Sequence, residues 1–118
     1  MNINDIETAD IDVGKMEVSK NELSIYYDEV YFIPNKEYIK NIKIIIKDWE
    51  ENIVTIYVSK DAFSQPQEVI LKEQEIESFE LIQEIVRQEN DIILKGYSSI
   101  SKNYMEYHIK KCDYEIIR

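Results

Sequence analysis

Apolar and polar residues alternate along several stretches of the chain, which is the pattern of β-strands that bury one face. A first strand is predicted over residues 22–33 and ends before Pro34, because proline cannot donate to a strand ladder. Residues 42–47 and 53–58 alternate in the same way and are separated by a short polar segment. Together they predict a β-hairpin with a loop of about five residues.

A second hairpin is predicted from the strand-like residues 92–97 and 104–109. Gly96 falls inside its first strand, and a glycine at such a position indicates a bulge or a close approach of two backbones. Two shorter runs, 68–71 and 114–117, also have the composition of strands. The second of these runs is expected to pair at the edge of a sheet.

The pattern changes between the two predicted hairpins, where apolar residues recur every three or four positions. This spacing places them on one face of an α-helix, with charged and amide side chains on the other face. We therefore expect one amphipathic helix of about three turns, whose apolar face consists of Ile76, Phe79, Ile82, Ile85 and Val86.

These elements predict an α+β fold, in which a bent or part-closed antiparallel β-sheet of about five to seven strands packs against one amphipathic helix. Residues 15–118 are expected to form a single domain, and residues 1–14 are expected to be a mobile acidic tail. One helix covers only one face of such a sheet. The other face is then polar, closed onto itself, or covered by a partner.

The formal net charge of −10 is concentrated in two segments. Residues 1–13 contain four acidic residues and no basic one, and residues 68–91 contain eight acidic residues and two basic ones. Nucleic acid and anionic membranes are disfavoured as partners, because phosphate contacts need clustered lysine and arginine. A basic protein partner fits this charge, and a surface that only keeps the protein soluble fits it as well.

The sequence offers few residues for catalysis or metal binding. Cys112 is its one cysteine and His108 its one histidine, and along an extended strand they lie roughly 13 Å apart, beyond hydrogen-bond reach. A zinc site needs three or four nitrogen or sulfur ligands, and a glycine-rich phosphate-binding loop needs closely spaced glycines, whereas the chain has only Gly14 and Gly96. We therefore expect no catalytic residue, no metal and no cofactor.

The expected location is the cytoplasm. A single cysteine cannot form a disulfide within the chain, which is typical of proteins from reducing compartments. The first residues lack the basic and apolar regions of a signal peptide, and the apolar runs are far shorter than a membrane helix requires.

Aromatic residues are more numerous than a small core requires, with nine tyrosines, three phenylalanines and one tryptophan. Tyrosine and tryptophan are enriched at protein interfaces, and cross-strand packing within the sheet is the alternative use. Trp49 lies in a polar loop, while Tyr97 and Tyr104 lie in the second hairpin. We predict a partner-binding surface with these three aromatic anchors and with carboxylates for electrostatic steering, namely Glu73, Glu75, Glu77, Glu80 and Glu84.

The order of segments along residues 22–117 carries a family resemblance. It consists of a strand ending in Ile46-Lys47-Asp48-Trp49, a second strand at 53–58, an acidic helix ending near Arg87, and a closing hairpin that contains Ile93-Leu94-Lys95-Gly96-Tyr97 and Tyr104-Met105-Glu106-Tyr107. In these features the chain resembles small acidic immunity-type proteins of bacterial polymorphic-toxin systems. The resemblance implies a cytosolic, non-catalytic protein that neutralises a toxin, often a basic nuclease, by binding it.

Other functions also fit the sequence. A phage-type inhibitor protein would present carboxylates in place of phosphates. An aromatic-lined concavity of the sheet would suit a small ligand, in a binding protein or an enzyme-like domain. Unprotected edge strands can also pair between two copies of the chain, so a homo-oligomer is a further alternative.

Overall fold

The computed structural model describes residues 1–59, 61 and 65–118, and most of its regular structure is β-strand. Two 3-10 helices of three residues each, Ile3–Asp5 and Glu73–Glu75, are the helical segments in these ranges. Neither has the length and apolar composition to cross a membrane. The strands are β1 (Ile6–Glu7), β2 (Lys15–Val18), β3 (Glu22–Phe32), β4 (Glu37–Lys47), β5 (Glu51–Val58), β6 (Gln67–Leu71), β7 (Phe79–Gln88), β8 (Asp91–Ser98), β9 (Tyr104–Lys110) and β10 (Asp113–Ile117).

The strands form two five-stranded sheets, and every pairing between named strands is antiparallel. Sheet A has the order β1-β3-β4-β10, with β2 also paired to β3, and sheet B has the order β6-β5-β9-β8-β7. Side chains from both sheets meet in one hydrophobic core, which includes Leu23, Ile25, Ile44, Ile46, Val54, Leu94, Met105 and Tyr107.

The predicted α+β class is wrong, because the segment expected to be a helix is the edge strand β7. Its register against β8 shifts twice, between Phe79 and Leu81 and between Ile82 and Glu84. Each shift adds one residue to the strand, so the inward side chains Phe79, Ile82 and Ile85 are three positions apart instead of two. Two β-bulges thus imitate the periodicity of a helix. The structure also has two sheets, where the sequence predicted one sheet of five to seven strands.

The strands predicted at 42–47 and 53–58 are present, but they do not form a hairpin. Strand β4 pairs with β3 and β10 in sheet A, whereas β5 pairs with β6 and β9 in sheet B. Asp48, between them, has a positive φ of 58°, a conformation that turns the chain sharply. The two strands lie in different sheets, and their inward side chains meet in the shared core. Alternation alone does not distinguish these two arrangements.

The N-terminal segment, predicted as a mobile acidic tail, contributes to the core and to a sheet edge. Ile3 is fully buried and Ile6 is 7% exposed. The Thr8 hydroxyl donates a hydrogen bond to the carbonyl oxygen of Ile82 at 2.9 Å, and the Val13 N–H donates to the Glu80 carbonyl oxygen at 2.9 Å. The segment thus satisfies part of the outer edge of β7 and links the two sheets.

The second predicted hairpin is confirmed as β8 and β9, which pair in continuous register from Ile92 to Tyr97. The close backbone approach predicted at Gly96 is confirmed as well. A Cβ at that position would overlap the Leu81 carbonyl oxygen and would lie 2.9 Å from Ile82 Cα. The expected edge strand at 114–117 is found in β10, which pairs with β4.

Candidate functional site

The outer face of sheet B carries a row of three tyrosines. Tyr104 on β9 lies opposite Tyr57 on β5 and Tyr97 on β8 in the strand register. The centroid of its ring is 5.4 Å from that of Tyr57 and 5.8 Å from that of Tyr97. Because side chains alternate across a strand, the opposite face of β9 holds Met105 and Tyr107, which are both fully buried. The tyrosine row therefore points outward.

One carboxylate accepts hydrogen bonds from two of these three tyrosines. Glu106 accepts a hydrogen bond from the Tyr104 hydroxyl at 3.0 Å and another from the Tyr57 hydroxyl at 3.5 Å. Burial, together with this carboxylate, raises the pKa of both hydroxyls, so both stay protonated donors at neutral pH. Glu106 thus holds the Tyr104 hydroxyl closely and the Tyr57 hydroxyl at a longer distance.

Acidic and apolar side chains border the row. The register places Glu68 beside Tyr57 and Leu81 beside Tyr97. The next row across the sheet consists of Ile70, Thr55, Glu106, Lys95 and Glu84. Ile70 is 69% exposed and Tyr97 is 38% exposed, so the surface is open to solvent. We define the tyrosine face by Tyr57, Tyr97, Tyr104, Glu68, Glu84 and Glu106.

Three of the predicted partner-binding residues lie on the tyrosine face, namely Tyr97, Tyr104 and Glu84. The sequence prediction misses Tyr57 and Glu106, although alternation in their strands already points both side chains outward. Tyr57 lies close to Tyr104 and Glu106 only because β5 pairs with β9, and these two strands are far apart in the sequence. No local pattern indicates that pairing.

Two other predicted residues, Trp49 and Glu73, line a cleft on a different side of the molecule. The cleft lies between the β2–β3 turn, the β4–β5 connection and the segment that follows β6, and its volume is about 550 Å³. Trp49 is half-buried and packs against the core. We call this feature the Trp49 cleft; its lining residues are Val18, Ser19, Lys20, Asn21, Trp49, Glu50, Glu51, Asn52, Leu71, Glu73 and Ile76.

The Glu77 side chain forms hydrogen bonds that hold the loop between β8 and β9. Its carboxylate accepts hydrogen bonds from the Ser98 hydroxyl and, at 3.1 Å, from the Ser101 N–H. Its carbonyl oxygen accepts a hydrogen bond from the Tyr107 hydroxyl. Burial by itself raises the pKa of Glu77, but the hydrogen bonds from the two serines outweigh burial and hold the pKa below its ordinary value. This carboxylate is half-buried and has its partners inside the chain.

The last two predicted carboxylates, Glu75 and Glu80, have hydrogen-bond or ion-pair partners within the chain. Glu75 accepts a hydrogen bond from the Lys72 N–H at 3.0 Å and so caps the second 3-10 helix. Glu80 forms an exposed ion pair with Lys102 at 3.0 Å, which contributes little stability. The structure therefore distributes the predicted site over the tyrosine face, the Trp49 cleft and the surroundings of the β8–β9 loop.

The histidine and the cysteine have separate partners. His108 Nε2 lies 2.9 Å from the Asp91 carboxylate. Cys112 is buried, and Arg87 donates a hydrogen bond to its sulfur at 3.4 Å. Burial raises the pKa of this thiol, and the arginine offsets only part of that effect. Within the described ranges, no three His, Cys, Asp or Glu residues are grouped in a way that could hold a metal ion.

Comparison with protein-family models, with curated proteins and with solved structures finds no match to this chain.

Proposed function

We propose that this chain is a non-catalytic protein-binding domain that docks on a basic partner through the tyrosine face. One observation carries the proposal: three tyrosine rings in mutual contact, two of them hydrogen-bonded to Glu106, lie on an open sheet face that Glu68 and Glu84 border. Tyrosine offers a large contact area with few rotatable bonds, which is typical of the residues that dominate binding energy. Carboxylates at the border of such a surface increase the rate of association with a basic protein.

The partner class that we propose is a toxin or nuclease domain, and the mode of action is neutralisation by binding. The net charge of −10 supports a basic partner and opposes nucleic acid. The proposed compartment is the cytoplasm, where a buried free thiol such as that of Cys112 stays reduced.

The test begins with affinity capture of a basic protein from the native host and continues with binding kinetics for the purified pair. A variant that combines Glu68→Gln and Glu84→Gln removes two exposed carboxylates from the tyrosine face. We expect its association rate at low salt to fall by about threefold to tenfold, while its dissociation rate changes little. Added salt is expected to reduce this difference.

A matched control combines Glu22→Gln and Glu29→Gln, which removes two exposed carboxylates from β3 in sheet A. Both double variants change the net charge equally, so a general charge effect would slow both of them alike. The proposal requires a clearly larger effect on the tyrosine face. Equal association rates for the two variants would contradict it, and so would the recovery of no basic protein from the host.

A further inference from the structure

Strand β6 (Gln67–Leu71) is an open edge of sheet B. It pairs with β5 on one side, and no strand among the described residues pairs with its other side. Residues 67–70 are exposed, and Ile70 is 69% exposed. An edge strand presents a row of unpaired backbone N–H and C=O groups, so it is a template for another strand. We call this feature the β6 edge.

The other sheet edges are better protected than the β6 edge. Strand β7 has two β-bulges and accepts hydrogen bonds from the N-terminal segment. Strand β10 carries carboxylates at Asp113 and Glu115, while β1 and β2 are only two and four residues long. Bulges, charges and short length are the usual means of preventing edge-to-edge pairing. The β6 edge has a single charged residue, Glu68, beside the exposed apolar side chains of Val69 and Ile70.

The sequence of the β6 edge is complementary to itself in one antiparallel register. Two copies related by a two-fold axis pair residues of the same sheet face, so the register centres on one residue. Centred on Glu68, it places two carboxylates opposite each other. Centred on Ile70, it pairs Ile70 with itself, Val69 with the other copy's Leu71, and Glu68 with the other copy's Lys72.

The charged ends of this register are available for pairing. Lys72 directly follows β6 and has an extended backbone, with φ −75° and ψ 161°, so the strand geometry continues to it. Neither Glu68 nor Lys72 forms an ion pair with another described residue. Opposite charges that face each other across two strands stabilise their pairing. The two-fold axis makes this charge pair occur twice.

We infer that the β6 edge pairs with the β6 edge of a second copy, in the register centred on Ile70, and forms a two-fold symmetric dimer. The two copies of sheet B then form one continuous sheet. Because the two-fold axis is perpendicular to that sheet, both tyrosine faces lie on the same side. The tyrosine row itself is on β5, β9 and β8, outside the contact. The inference therefore does not depend on the proposed docking function.

Sedimentation equilibrium of the full-length protein tests the dimer at concentrations from about 1 µM to about 1 mM. A contact between two short strands is smaller than a standard protein interface, so we expect a dissociation constant on the order of 10–100 µM. Ile70→Lys is expected to raise this constant at least about tenfold, because it removes the central apolar contact and places two ammonium groups opposite each other. Ile100→Lys is the matched control, since Ile100 is also 69% exposed but lies between β8 and β9. We expect it to leave the dimer unchanged.

A charge exchange tests the register. Glu68→Lys and Lys72→Glu each place like charges opposite each other at two points, so each is expected to raise the dissociation constant about fivefold or more. The variant that combines both changes is expected to return to within about threefold of the wild type. A general charge effect predicts otherwise, because Glu68→Lys makes the net charge of −10 less negative and would strengthen association.

Three results would overturn the inference, provided that circular dichroism and thermal unfolding show each variant to be folded. A wild-type protein that stays monomeric up to about 1 mM would leave the β6 edge to an extended segment of a different protein. Equal effects of Ile70→Lys and Ile100→Lys would indicate unspecific apolar association. A combined charge variant that dimerises no more tightly than the single variants would exclude this register.

Discussion

The substitution Gly96→Ala is expected to lower the free energy of unfolding by about 3 kcal/mol or more. Gly96 lies in β8 between β7 and β9, and its added Cβ would collide with the backbone of Leu81 and Ile82. A flexible side chain could move away at little cost, whereas here two paired strands would have to separate. Denaturation in urea, with the midpoint and the slope both determined, measures this loss.

Gly14→Ala is the matched control, because its added Cβ would lie 3.1 Å from the Tyr26 carbonyl oxygen, a tight but tolerable contact. We expect that substitution to change the free energy of unfolding by less than about 1 kcal/mol. If Gly96→Ala unfolded at the same urea concentration as the wild type, β7 would not pack across position 96. The assignment of this segment to an edge strand would then be wrong.

Deletion of residues 1–13 is expected to destabilise the domain by about 5 kcal/mol, which is comparable with the whole stability of many domains. The deletion removes the buried side chains of Ile3 and Ile6, and truncating one buried isoleucine typically costs about 2–5 kcal/mol. It also removes the hydrogen bonds that Thr8 and Val13 donate to β7. Thermal and urea unfolding of the truncated chain test this expectation.

A full-length variant separates the packing of this segment from its charge. It combines Asp5→Asn, Glu7→Gln, Asp10→Asn and Asp12→Asn. We expect its stability to stay within about 1 kcal/mol of the wild type, because none of the four side chains belongs to the core. A truncated chain as stable as the full-length protein would show that the segment is a tail and that its contacts contribute nothing.

The positions of most strands follow from the sequence, but of the two predicted hairpin pairings only that of β8 with β9 is observed. Residues 22–33, 92–97 and 104–109 alternate cleanly, and β3, β8 and β9 occupy these positions within one or two residues. The errors arise where the chain departs from a regular ladder. Bulges shift the inward positions of β7 to a spacing of three, and the chain crosses from sheet A to sheet B between β4 and β5 instead of forming a hairpin.

The part of the candidate site that lies on the β8–β9 hairpin can be predicted from the sequence. Tyr97 and Tyr104 come together because β8 and β9 are neighbours in the sequence as well as in the sheet. Tyr57 joins them through the long-range pairing of β5 with β9. The acidic side chains of the central segment do not form one surface, because this segment is a strand and not the predicted helix. On a helix they would share a face, whereas Glu77, Glu80 and Glu84 have different surroundings in the structure.

Docking through the tyrosine face is tested most directly by comparing the dissociation constants of Tyr104→Ala and Tyr38→Ala with the captured basic protein. Both variants remove the same ring, but Tyr38 lies on β4 in sheet A and is 60% exposed. We expect Tyr104→Ala to weaken binding at least about thirtyfold, chiefly through faster dissociation, and Tyr38→Ala to weaken it less than about threefold. Equal dissociation constants for the two variants, with both proteins folded, would contradict docking through this face.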